Sequence, residues 1–438
     1  MTRLRLLLSG GFAATLLFTV LLTTLFPATL YAQDKIDSGD TAWMLVSSAL
    51  VMLMIPGLAL FYGGMVRPQN VLSTIMHSMF AMGLITVQWV VIGYSLAFGN
   101  DVGGFVGGLN YAFLNGVGVE PSGSIPHMVF MLFQGMFAII TPALISGAIA
   151  ERMKFSTYCV FILAWATLVY DPICHWVWGE GGWLLAMGAL DFAGGTVVHL
   201  NSGVSALVLA LVIGPRIAYG REPIYPNNLV VTMLGAALLW FGWFGFNAGS
   251  ALAANQSAAQ AFVTTHIAAG AAAVSWTFAE WIHSEKPSML GTASGIIAGL
   301  VAITPGAGFV SPMGALVIGL LAGVVCYAAV LMKRPLGYDD SLDAFGIHGV
   351  GGLLGALLTG VFATKMFNPE ATAGVLEGNL AVMWPQVAGV VATAAYAGLM
   401  TYIIVKVLDK TMGLRVDEDE EREGLDVTLH GEQGYRIT

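Results

Sequence analysis

Eleven apolar stretches, each close to the roughly 20 residues needed to cross hydrocarbon as a helix, recur between about residue 43 and residue 408. They fall near 43–64, 71–98, 126–150, 156–177, 196–213, 229–250, 260–282, 289–304, 310–332, 345–364 and 384–408. An unpaired backbone amide is too costly in lipid, and no segment alternates apolar with polar residues as a barrel strand does, so the stretches must be helices. The chain is therefore expected to be an all-α integral membrane protein with eleven transmembrane helices. Composition agrees: 57% of the 438 residues are hydrophobic and 10% charged, against about 25% charged in a soluble domain. The connections are too short to hold separate cores, which gives one membrane domain over 33–408 and a polar tail over 409–438. Many of the 55 glycines lie inside apolar runs, where small residues let lipid-embedded helices approach closely.

Residues 1–32 carry Arg3 and Arg5, an apolar stretch from about Gly11 to Phe26, and Ala28 to Ala32 before a polar run, the layout of a secretory signal peptide. A retained extra span is the alternative, because Leu30 is a mediocre residue three before the cut. The basic residues fix the orientation. Arg67, Arg152, Lys154, Arg216, Arg221, Lys286, Lys333, Arg334, Lys406, Lys410, Arg415, Arg422 and Arg436 fall on the face that carries the tail. Only Lys35 and Lys365 fall opposite. Positive charge marks the cytoplasmic side, so the tail is expected in the cytoplasm and the mature N-terminus outside.

The net charge of −9, with a dense acidic run near the C-terminus, argues against nucleic acid as a partner. Cys159, Cys174 and Cys326 are odd in number and show no C-x-x-C spacing, so they read as small hydrophobes. No H-E-x-x-H or other metal spacing appears, and neither a metal nor a cofactor is expected.

Asp191 precedes His199 by eight residues at the start of the fifth span, and Asp340 precedes His348 by eight at the start of the tenth. Five spans separate the pairs. An odd number gives two halves of opposite orientation, the inverted-repeat plan with a site between halves: an inverted 5+5 repeat plus one additional helix. Two residue types at one spacing could also coincide by chance. An ionisable residue within hydrocarbon is expensive and is a functional hypothesis by default. The plainer reading is a histidine bonded to a neighbouring helix's carbonyl, but a pair in matching spans favours function. His77 and His266 lie near the ends of apolar segments, where packing or interfacial roles fit better. Phe133 and Phe137 share one helix face, as do Trp243, Phe246 and Ser250. Alone, these residues fit a core or a lipid-facing surface, and Trp178 fits an interfacial anchor.

GALDFAGGTVVHLNSG (188–203), FGWFGFNAGSA (241–251), FGIHGVGGLLG (345–355) and FQGMFAIITPALISGAIAER (133–152) resemble signature segments of the ammonium transporter (Amt/Mep/Rh) family, and GLRVDEDEEREGLDVTLHGEQGY (413–435) resembles the tail of its bacterial channels. The resemblance runs from about residue 41 to the tail. It implies an ammonium recruitment site at Phe137, Trp178 and Ser250 with Phe133 lining the same vestibule, a stacked phenyl gate of Phe137 and Phe246, and twin pore histidines His199 and His348. It implies a pore-lining Trp243 and a buried, structural Asp191, with Asp340 its counterpart in the second half. The stretch from Trp178 to Asp191 is one residue longer than the family pattern, which makes Trp183 the weaker candidate for the outer tryptophan. Also implied are a homotrimer with one pore per subunit, a regulatory tail under the pore mouths, a PII-type signal protein at the cytoplasmic face, and a bacterial inner-membrane location.

Ammonium nearly matches potassium in size and charge, so cavity size separates them poorly, whereas deprotonation separates them well. Stripping water from a small cation costs tens of kcal/mol in an idealised Born picture, and a desolvated cation–π contact returns about 2 kcal/mol. Aromatic residues can gather the ion but cannot carry it through. Neutral imidazoles, each with one donor and one acceptor nitrogen, suit the passage of ammonia. Two net cargoes, ammonia and the ammonium ion, fit the residues equally. Two other functions compete with transport: an ammonium sensor signalling through its tail, and an intramembrane hydrolase built on Asp191 and His199. The second lacks any G-x-S-x-G or metal motif, and the chain is not expected to be an enzyme.

Overall fold

The computed structural model describes residues 36–368 and 372–435. The signal-peptide expectation for 1–32 lies outside these residues. Among the described residues, ten helical segments are long and apolar enough to cross a membrane: α1 Ser38–Met65, α2 Pro68–Phe98, α3 His127–Ile149, α4 Phe155–Met187, α5 Gly195–Ile213, α6 Leu229–Ala248, α7 Gln256–Ser284, α9 Pro312–Leu336, α10 Phe345–Phe362 and α11 Leu380–Thr411. A shorter apolar helix, α8 Met289–Ile303, stands in the eighth place. Its 15 residues rise about 22 Å at 1.5 Å each, short of the ~30 Å hydrocarbon thickness.

Short polar side chains start these helices. Asp37 accepts from the amides of Gly39 and Asp40, Asn228 from Val230 and Val231, Asn255 from Ala258, and Ser311 from Gly314. Each satisfies amides that have no partner inside their own helix. Where α7, α8 and α9 meet, the core is built largely of alanine, including Ala261, Ala268, Ala272, Ala302, Ala315 and Ala322. Such small side chains let the helix backbones close on one another without a water-driven collapse.

Among the described residues, five short π-helical turns interrupt the spans: Trp89–Gly93 in α2, Ala166–Tyr170 in α4, Gly195–Leu200 opening α5, Phe244–Ala248 ending α6, and Phe345–Gly349 opening α10. A π turn adds a residue to the helical repeat and is frequently found where a side chain must be re-aimed. Two of them, those that open α5 and α10, carry His199 and His348.

Acidic composition alone would have left the C-terminal tail solvated. It is instead folded onto the face it leaves, with two short helices, α12 Glu418–Glu423 and α13 Leu425–His430. Asp417 and Glu420 form a reciprocal capping box at the start of α12. Glu421, 1% exposed, accepts from the Ile217 amide at 2.7 Å and pairs with Arg415. Asp426, also 1% exposed, accepts from the amides of Leu72 and Ser73 at 3.0 and 2.7 Å, capping the α2 N-terminus. Beneath the tail lies a buried ionic network. Arg216 holds Asp339 through two side-chain bonds of 2.9 Å, Arg152 stands 3.7 Å from the same carboxylate, and Glu151 joins Arg67 to Arg216.

Candidate functional site: a histidine-lined pore

The two π turns that open α5 and α10 are held by carboxylates. Asp191 accepts from the amides of Gly194, Gly195, Thr196 and Val197 and from the Thr196 hydroxyl, an anionic cap on the positive end of α5. Its loop is clamped by Gln386, whose amide oxygen accepts from Leu190 N and whose nitrogen donates to Leu190 O. Asp340 does the same for α10 through Ala344 and Phe345. The eight-residue spacing thus has a physical cause: each aspartate fixes the first turn of the helix that aims its histidine. Asp191 and Asp340 hold the helix starts, and neither is among the side chains lining the central cavity.

His199 and His348 meet at the bundle centre, 1% and 4% exposed, with ring centroids 5.3 Å apart, planes inclined by 23°, and Nδ1 atoms separated by 3.3 Å. Close helix contact makes this possible. A Cβ on Gly203 would run into the backbone of Gly349, and one on Gly352 would meet Gly195 O at 2.7 Å and the Leu200 amide at 2.8 Å. Each of these glycines lies four residues after its histidine, so the two half-repeats cross reciprocally. This relation was missed from sequence, although the repeated H-x-x-x-G was its available signal.

Two Nδ1 atoms at hydrogen-bond distance can share only one proton between them when both rings are neutral. One ring donates from Nδ1 and is left with an accepting Nε2, and the other accepts at Nδ1 and carries its proton on Nε2. The pair therefore offers one acceptor and one donor on its remaining nitrogens. The Nε2 of His199 is buried without a protein partner among the described residues.

Apolar side chains surround the pair. Met54, Leu58, Ile140, Leu144, Leu239 and Ile297 line a narrow cavity with Trp243, Phe246 and both histidines. Trp243 stacks on His199 at 5.4 Å and 25°, and its indole N–H is held by the Thr304 hydroxyl at 3.0 Å. Phe246 lies 5.9 Å from His199 and 4.3 Å from Phe137, so the two phenyl rings pack together directly beside the imidazoles.

On the far side of Phe137 an open vestibule of about 180 Å³ is walled by Phe130, Gln134, Trp178, Phe192 and Ser250. Trp178 meets Phe137 edge-to-face at 5.7 Å, and its N–H donates to Asp191 O at 2.8 Å. The Ser250 hydroxyl donates to Phe246 O at 2.9 Å, which leaves its oxygen free to accept. Phe133 stands behind Phe137 at 5.0 Å, 1% exposed and outside the vestibule wall, where Phe130 and Gln134 take the place expected of it. Trp183 lies apart, against Phe105 and Trp176. His77 is 2% exposed and packs on Tyr158 at 4.4 Å, and His266 stacks on Trp240 at 5.3 Å. Neither lines the central cavity. No group of three or more metal-ligating side chains occurs among the described residues.

Comparison with known proteins gives a consistent result. The model of the Ammonium Transporter Family matches residues 42–435. The ammonium transporter of Bacillus subtilis (strain 168) is 50% identical over 404 residues, covering 91% of this chain and 98% of that one. That of Aquifex aeolicus (strain VF5) is 49% identical over 425 residues, covering 96% and 99%. Among solved structures, Saccharomyces cerevisiae Mep2 superposes with a TM-score of 0.84 at 38% identity, covering 88% of this chain and 89% of that one. A "Sensor Amt Protein" superposes with the same TM-score at 29% identity, covering 90% and 98%.

Proposed function

This chain belongs to the ammonium transporter family and is a multi-pass membrane protein, and from that premise we propose that it recruits ammonium at the open vestibule, where the ion gives up a proton to water, and conducts the resulting ammonia past the Phe137–Phe246 gate along the paired histidines. The observation that carries this reading is the 3.3 Å contact between His199 and His348 inside an apolar cavity.

At the vestibule, Trp178 and Phe137 offer π faces and Ser250 an accepting oxygen, enough to hold a partly dehydrated cation but not to drive it through hydrocarbon. The phenyl pair is a hydrophobic constriction that opens by side-chain rotation. Beyond it the opposed tautomers complement ammonia, since one Nε2 accepts an ammonia N–H and the other donates to its lone pair. Potassium has no proton to give up and is refused by the same walls.

The functional assembly is a homotrimer in the bacterial inner membrane, with the mature N-terminus outside and the tail in the cytoplasm. The basic residues on the tail face support that orientation, and the family resemblance supports the trimer and a PII-type signal protein as cytoplasmic partner. A second reading, ammonium sensing reported through the tail, draws on the docking of Glu421 and Asp426 against the transmembrane helices. Both readings meet one experiment: current and uptake measured with purified protein in supported membranes and proteoliposomes, across pH and with potassium as competitor. Rapid ammonium-dependent flux that potassium does not inhibit is expected. Binding without flux would replace transport by sensing.

A further inference from the structure

Three of the five π turns carry pore residues: His199, Phe246 and His348. The other two, Trp89–Gly93 and Ala166–Tyr170, face each other away from the pore, with Gln88 immediately before one and Asp171 immediately after the other. Asp171 is fully buried and Gln88 is 6% exposed. The Gln88 amide nitrogen donates to Asp171 Oδ2 at 2.8 Å and to the Thr167 hydroxyl at 3.1 Å. A Cβ on Gly93 would stand 2.6 Å from Gln88 Oε1, so the backbone of the first π turn packs directly on this amide. No ion pair includes Asp171 among the described residues, and both Asp171 Oδ1 and Gln88 Oε1 are buried there without a partner.

Two acceptor oxygens left over on adjacent groups cannot satisfy each other. An ionised Asp171 would also leave a charge in hydrocarbon supported by one neutral amide, an arrangement that buried carboxylates avoid by binding a proton. One proton on Oδ1 resolves both defects at once. The carboxylic O–H then donates to Gln88 Oε1 while the Gln88 N–H donates to Oδ2, closing a two-bond ring between acid and amide and removing the charge.

We propose that Asp171 and Gln88 form an intramembrane proton-binding site, separate from the pore histidines, in which a neutral carboxylic acid and a carboxamide pair across two facing π turns. The bound proton locks the outer half of α4 to α2 at membrane depth. The site takes part in no step assigned to ammonium.

The test is infrared difference spectroscopy of the full-length protein in lipid at neutral pH, wild type against D171N. A protonated-carboxyl C=O band that is lost in D171N and unchanged on adding ammonium or sodium chloride is the expected result. Only ionised-carboxylate bands in that difference, or a carboxyl band removed by either cation, would overturn the proposal, the latter because a cation would then be the occupant. If D171N does not fold, Q88L keeps the acid and removes its acceptor. The carboxyl band should then shift to higher frequency, and an unshifted band would refute the pairing.

Discussion

The Nδ1 atoms of His199 and His348 stand 3.3 Å apart, and the rings that carry them are inclined by only 23°. One shared proton couples the tautomers, so the two imidazoles act as a unit. Replacing both by alanine should lower selective ammonium flux by on the order of 100-fold, the scale on which positioned proton-transfer groups act. Tracer uptake in proteoliposomes, with potassium permeation as the control, measures this directly. Undiminished flux with potassium still excluded would remove the histidines from the mechanism.

Phe246 is buried, 4.3 Å from Phe137 and 5.9 Å from His199. Truncating a buried phenylalanine costs about 3–5 kcal/mol in a tightly filled core. Here the lost ring borders an existing cavity, which places Phe246→Ala at or below the low end of that range. Conduction should change more than folding: the melting temperature falls by a few degrees, while ammonium flux or potassium exclusion changes by about tenfold or more. Stopped-flow uptake beside a thermal melt separates the two effects.

Gly203 and Gly352 let the two half-repeats cross. A methyl group at 203 meets the Gly349 backbone, which cannot rotate aside as a side chain could. Overpacking of this kind costs about 1–3 kcal/mol. Gly203→Ala should therefore yield a folded but less stable protein in which His348 is displaced and flux drops at least tenfold. Gly398→Ala, whose nearest neighbour is a Val204 methyl at 3.5 Å, should leave both stability and flux within about twofold.

Much of this arrangement was legible in the sequence because a membrane limits the choices. Span positions followed from runs of apolar residues, and most boundaries lie within a few residues of those expected, α4 continuing as far as Met187. The Asp191–His199 and Asp340–His348 spacings pointed to the bundle centre because a carboxylate that caps a helix start and a histidine a few residues into that helix occupy fixed places relative to each other. What could not be read were features set by tertiary contact. Phe133 and Phe130 are equally aromatic neighbours on α3, and only the packing of α3 against Gly249 decides which one faces the vestibule. The docked tail was hidden for a similar reason. Its acidic composition argues for solvation, and it is overruled by buried amides at Ile217, Leu72 and Ser73 that need acceptors.

Asp339 sits at the centre of the buried ionic network beneath the tail. Burial pushes its carboxyl upward, but the hydrogen bonds and charge of Arg216, with the charge of Arg152, outweigh burial and hold it below the ordinary aspartate value of 3.8. A carboxyl depressed on folding stabilises the protein above its unfolded value, and the contribution is lost as pH falls through the lower folded value. The network should thus be intact at neutral pH and fail only below about pH 4. Asp339→Asn removes one side of a buried pair and should cost about 3–5 kcal/mol at pH 7. That loss should shrink on acidification, as chemical denaturation at pH 7 and at pH 3.5 would reveal. An equal loss at both values would mean that the charge of Asp339 contributes nothing.

Truncation after Leu408 removes none of the residues lining the central cavity, yet it strips the acceptors from Ile217, Leu72 and Ser73 and removes Arg415, whose guanidinium donates to Ile213 O at 3.4 Å and ties the tail to the membrane domain. An unsatisfied buried donor facing a lost carboxylate costs about 1.5–3 kcal/mol, and the affected amides begin α2 and the 217–224 loop on the face that carries the tail. Transport should fall several-fold although the His199–His348 contact is untouched. Asp426→Ala, which frees only the α2 N-terminus, should reproduce part of that loss. If the truncated protein transports at the full rate while Asp426→Ala is destabilised, the tail holds the fold together without governing conduction.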